Sequence, residues 1–152
     1  MEKCGSRSIS VAFLVIGVLV VAVSVQGAMK ITSATIPMPT DDKITMLAGL
    51  EYGVGWKAEI TSIRLDPKTV GEGDPMRPVW VVTGSSSRPQ LQKVNLQITL
   101  LDSDGNPVGT VKKFLILKVA SVNVEYPIKM KIKAAAWEQA TQVRIRATFM
   151  VA

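Results

Sequence analysis

A chain of 152 residues, 47% hydrophobic and 20% charged, suits one packed domain with a short appendage and excludes a disordered polypeptide. It has no histidine and one cysteine, Cys4, which excludes Ser-His-Asp and Cys-His nucleophiles, imidazole metal sites and an internal disulfide. The formal net charge of +6 favours acidic partners, but no Lys/Arg cluster is interleaved with stacking aromatics, so a nucleic-acid partner is not expected.

The N-terminus reads as an export segment. Lys3 and Arg7 precede an apolar run of 17 residues, Ile9 to Val25, which closes in small and polar residues. The run predicts an N-terminal hydrophobic helix and fits a signal peptide cut after Gly27 or Ala28. The competing reading is an uncleaved anchor, since the run approaches the length that crosses a hydrocarbon core of about 30 Å. Both readings leave the C-terminal bulk outside the cytoplasm, in the periplasm, on the cell surface or secreted. Cys4 lies before the run, on the wrong side for bacterial lipoprotein attachment, although a cysteine beside a membrane helix is a site for lipid. Without the leader the charge is 16 cations against 11 anions, or +5.

Residues 29–56 read as a linker with one or two strands, interrupted by Pro37, Pro39 and Thr40-Asp41-Asp42. Gly49, Gly53 and Gly55 weaken a strand interior there and allow close approach of another backbone. From residue 57 to 152 the pattern becomes regular. Lys57 to Leu65 predicts a first strand and Arg77 to Thr83 a second, followed by a flexible Gly84-Ser85-Ser86-Ser87-Arg88-Pro89. Leu91 to Leu117 is the clearest hairpin, with Val94, Leu96, Ile98 and Leu100 alternating against Lys93, Asn95, Gln97 and Thr99 around the turn Asp102 to Pro107. Val122 to Lys133 predicts a fifth strand, with Ile128, Met130 and Ile132 inside. Gln142 to Val151 predicts a sixth, with Val143, Ile145, Ala147, Phe149 and Val151 inside. Ala134 to Ala140 is too short for a stable helix and reads as a helical turn. Short strands divided by Gly, Pro, Asp and Ser turns predict an all-β antiparallel sandwich of about seven strands.

The run ITSIRLDPKTVGEGDPMRPVWVVTG, then VNLQITLLDSDGNPVGT, then TQVRIRATFMV resembles the immunoglobulin-like sandwich modules of prokaryotic surface proteins, of the CARDB and FxLYD types. The Phe-x-Leu-Tyr-Asp core of the latter stands here as Ile98-Thr99-Leu100-Leu101-Asp102. The resemblance covers residues 57–152 and implies an immunoglobulin-like fold at a cell surface, in modules that bind or space other proteins. It carries over no catalytic residue.

Three chemistries remain to weigh. The loop carboxylates Asp66, Glu72, Asp74, Asp102 and Asp104 are explained by turns, so no enzyme and no cofactor is expected. Asp102, Asp104 and Asn106 stand like the first oxygen ligands of a calcium loop. Pro107 then takes the place of the required glycine and Lys113 that of the closing glutamate, so a plain hairpin turn is the stronger reading. Lys129, Lys131 and Lys133, with Arg144 and Arg146, form a basic stripe if the last two strands pair as a hairpin. Such a stripe suits an acidic protein, an acidic polysaccharide or anionic headgroups, or else serves to keep an edge soluble. Tyr52 and Trp56 in the apolar extension are further candidate contacts. Trp80 reads as core, and Trp56 and Trp137 as packing at element ends.

The sequence therefore predicts an exported, membrane-tethered, non-enzymatic binding or structural accessory subunit, engaging a protein partner, a larger membrane complex or an acidic surface. The alternative is a filament subunit in which residues 31–56 donate a strand to the next copy.

Overall fold

Period-2 alternation dominates from residue 29 onward, and two β-sheets follow from it. The computed structural model describes residues 19–20, 24–26 and 29–150. Sheet I is ordered β1 (Leu19–Val20), β3 (Met29–Pro37), β11 (Gln142–Met150), β8 (Gln92–Leu101) and β9 (Pro107–Leu117), with β2 (Ser24–Gln26) also paired to β3. Sheet II is ordered β10 (Ser121–Lys129), β7 (Val79–Ser86), β6 (Ala58–Asp66) and β4 (Thr45–Met46), with β5 (Glu51–Tyr52) also on β6. Every pairing within the two sheets is antiparallel.

The two sheets close on one core. Ile36, Leu96, Ile98, Leu100, Ile145 and Phe149 face inward from sheet I, and Ile60, Ile63, Trp80, Val82 and Ile128 from sheet II, all at 1% exposure or less. A strand buried on one face satisfies its backbone in the ladder and its apolar side chains in the sandwich, so alternation becomes burial. Trp80 is fully buried, and its indole Nε1 has no partner among the described residues. Trp137 of the short helix α1 (Ala134–Gln139) lies against it at 6.2 Å between ring centroids.

The hairpin of Leu91 to Leu117 is realised as β8 and β9. Its acidic turn is built by Asp102, whose Oδ1 accepts the backbone N–H of Asp104 and of Asn106, each at 2.9 Å. Gly105 takes the left-handed conformation (φ 80°) that closes it.

Three expectations change. The segment 29–56 holds three strands, and β3 is nine residues long and fully paired to β11 from Met29↔Met150 to Pro37↔Gln142. Alternating Thr32, Ala34 and Ile36 on its buried face explain this, and Pro37 and Pro39 only end the strand. The stretch 84–89 is ordered: Gly84 to Ser86 complete β7, and Arg88 is 6% exposed. The last two strands do not form a hairpin. β10 pairs with β7 in sheet II, whereas β11 inserts between β3 and β8 in sheet I. Residues 130–141, with α1 and an isolated bridge from Ile132 to Met76, carry the chain from one sheet to the other, and alternation alone does not say which sheet a strand joins.

The expected hydrophobic helix over residues 9–25 lies mostly outside the described residues; the two described pieces of it, β1 and β2, are extended and pair with β3. Among the described residues no helix is long and apolar enough to cross a membrane.

Candidate functional site

The outer face of sheet I is a grid fixed by strand register. One row runs Ser33, Arg146, Gln97, Lys112 across β3, β11, β8 and β9. The next row toward the Pro37 end runs Thr35, Arg144, Thr99, Thr110, and the row on the other side runs Ile31, Thr148, Asn95, Phe114. Lys93 follows beside Ile116. The four long strands of this sheet contain no Asp or Glu at all. Lys93, Lys112, Arg144 and Arg146 are exposed, and among the described residues none of them makes an ion pair.

An open groove of about 550 Å³ crosses this face, lined by Asn95, Gln97 and Thr148 together with Lys112, Lys113, Arg146 and Phe114. Phe114 is 47% exposed and Ile116 is 44% exposed. Both lie on β9, the last strand in the order of sheet I. The Gln97 amide donates to Thr99 Oγ1 at 3.4 Å, which in turn accepts from Thr110 Oγ1.

The residues singled out by sequence separate in space. Arg144 and Arg146 belong to this face, next to Lys112 and Lys93, which the sequence reading did not group with them. Lys129, Lys131 and Lys133 are exposed but lie beyond it, at and after the end of β10 in sheet II. The missed signal was available: counting charge strand by strand shows four long segments free of carboxylates.

Tyr52 and Trp56 are half-buried at the other margin of the sandwich. Their rings meet edge to face at 5.3 Å, Tyr52 lies 6.4 Å from Phe149, and the Lys30 ammonium sits 5.7 Å above the Tyr52 ring. The Arg88 guanidinium stacks on Trp56 at 4.8 Å and donates to Gln92 Oε1 at 2.6 Å and Gln90 Oε1 at 3.2 Å. Gln92, fully buried, donates to the carbonyls of Lys93 and Met150. Arg88 thus ties the loop before β8 to the end of β11. The close backbone approach expected of the glycines is found at Gly53, where a Cβ would collide with the Trp56 carbonyl oxygen. Residues 31–56, the expected donor segment, form β3, β4 and β5, each paired within its own chain.

At the Asp102 turn Oδ1 accepts the backbone N–H groups of Asp104 and Asn106, which accounts for the Asp as a turn former. Among the described residues no three acidic or cysteine side chains gather as a metal-binding group. Compared with known proteins, the chain matches no family model and no curated protein.

Proposed function

We propose that this chain is a non-enzymatic binding or structural accessory subunit outside the cytoplasm, engaging an acidic partner or surface through the outer face of sheet I. The observation that carries the reading is the carboxylate-free cationic face. Lysines on an edge strand keep it from pairing with other chains, which accounts for Lys112 and Lys113. It does not account for Arg144, Arg146 and Lys93, which stand on β11 and β8, strands flanked on both sides. Like charges held close on one sheet face are mutually destabilising, and an anionic partner removes that cost.

The immunoglobulin-like resemblance, which would imply a cell-surface setting, does not extend to the order of the strands. An immunoglobulin domain places strands A, B, E and D in one sheet and C, F and G in the other. Counting β3, β6, β7, β8, β9, β10 and β11 as the seven main strands, sheet I here holds the first, seventh, fourth and fifth, and sheet II the second, third and sixth. That is not the immunoglobulin strand order, and the support for the function is the surface of sheet I.

The test is charge reversal on each face of the full chain, read as retention on immobilised polyanions. R144E/R146E lowers retention at least tenfold, and salt elutes the wild type because exposed charges are screened. Reversal of Lys129, Lys131 and Lys133 changes it little. Equal loss from both sets would sink the assignment to sheet I.

A further inference from the structure

We propose that the ligand of this face is an acidic glycan, a chain of sugars bearing carboxylate or sulfate groups; this rests on the acidic-partner reading above. The cations do not converge on one point. Arg146 and Lys112 flank Gln97 on either side, two strand spacings or about 9–10 Å apart at the backbone, and Arg144 lies two residues from Arg146, about 7 Å along the strand. That layout suits charges repeated along a polymer and not one small anion.

The surface between the cations names the rest of the ligand. Its uncharged polar lining is amide and hydroxyl, from Asn95, Gln97 and Thr148, groups that both donate and accept hydrogen bonds and so match a polyhydroxylated chain. At its side stands Phe114, exposed on the outer face of β9. An aromatic ring has an electron-rich face, against which the C–H groups of a sugar ring pack while its hydroxyls turn to the amides. A peptide would instead require apolar pockets for alternate side chains or a backbone ladder on a sheet edge, and the groove lies on the sheet face. A bilayer would require a wide apolar surface, whereas the exposed apolar groups bordering this groove are confined to β9.

The full-length chain in detergent is titrated with polygalacturonate, neutral dextran, poly-glutamate and a single-stranded oligonucleotide, following binding by microscale thermophoresis. Polygalacturonate binds in a salt-dependent manner, dextran does not, and the other two polyanions bind at least fivefold more weakly. K112E/R146E abolishes the signal and F114A weakens it about fivefold, with circular dichroism unchanged in both. If poly-glutamate or the oligonucleotide matches polygalacturonate, or F114A leaves the affinity untouched, the glycan inference is overturned while the acidic-partner reading stands. If dextran binds equally well, or no polyanion binds, both fall.

Discussion

The outer faces of the two sheets treat charge in opposite ways. On sheet II, Lys57 reaches Glu51 at 2.7 Å and Glu59 at 3.5 Å, and Arg64 approaches Glu125 at 3.7 Å across β7. On sheet I four exposed cations share a face whose strands supply no carboxylate. Exposed ion pairs contribute little to stability, about 0–1 kcal/mol each, so sheet II is not held together by them. The contrast teaches instead what each face is free to do. Sheet II engages Lys57 and Arg64 in pairs within the chain and, among the described residues, keeps Lys129 unpaired only at the end of β10, whereas a face whose four cations all stand without such ion pairs attracts anions from outside.

The difference is confined to the surface, and the first prediction checks that. Phe149 comes from sheet I and is fully buried in the core the two sheets share. F149A is expected to cost about 3–5 kcal/mol, and urea unfolding followed by fluorescence and by circular dichroism should give one coincident transition. Two separated transitions would show that the sheets are independent units. A smaller loss is expected at Arg88. Removing a buried guanidinium leaves the Oε1 of fully buried Gln92 unsatisfied, at about 2–3 kcal/mol for R88A. R88K should recover only part of this, because an ammonium lacks the planar fork; full recovery in thermal melts would contradict the role given to the geometry.

The third prediction moves the two faces toward each other. Gln97 is flanked by Arg146 on one side and Lys112 on the other, so Q97E sets a carboxylate between two cations. Cross-strand opposite charges contribute about 0.2–1 kcal/mol, and the variant should be slightly more stable than the wild type while binding polyanions several-fold more weakly. Stability and binding changing in opposite directions is the signature of a face that gives up self-neutralisation for a partner. A loss of both would make the amide of Gln97, and not the charge of its neighbours, the important feature.

Legibility from the sequence follows the reach of each rule. Alternation at Val94 to Leu100 and Val143 to Phe149 finds strands and their buried faces because the period is a local property of the pleat. Asp102 with Gly105 finds the turn for the same reason. Sheet membership is not local: β10 and β11 follow one another in sequence yet lie in different sheets, so the stripe drawn through Lys131 and Arg144 does not exist, and the neighbours of Arg146 are Gln97 and, beyond it, Lys112. β3 was masked by prolines that lie only at and beyond its end. Arg88 was hidden in a run of serines and glycine whose composition suggests flexibility, because burial there depends on Trp56 and Gln92 arriving from elsewhere in the fold.

The smallest effect is expected on sheet II, at high pH. The Lys57 ammonium is raised above its ordinary value of 10.5, first by its hydrogen bond to Glu51 and then by the charge of Glu59. The folded chain therefore holds a proton that the unfolded chain releases. The stability this provides is complete below about pH 10.5 and is lost as pH rises through the higher folded value. Tyr126, half-buried with its hydroxyl donating to the Ile116 carbonyl at 3.4 Å, is raised above 10.0 by burial. It acts in the same direction, since only the unfolded phenol ionises freely above pH 10. Melting temperature should fall as pH rises past 10, and the slope should be shallower in K57M and shallower again in K57M/Y126F. The lysine part should also fade in high salt, because its pairs with Glu51 and Glu59 are exposed. Polyanion binding gives the counter-check: K57M should leave it unchanged, because the charge it removes was already neutralised inside sheet II. A K57M variant that binds more weakly would place the anion site on the wrong sheet.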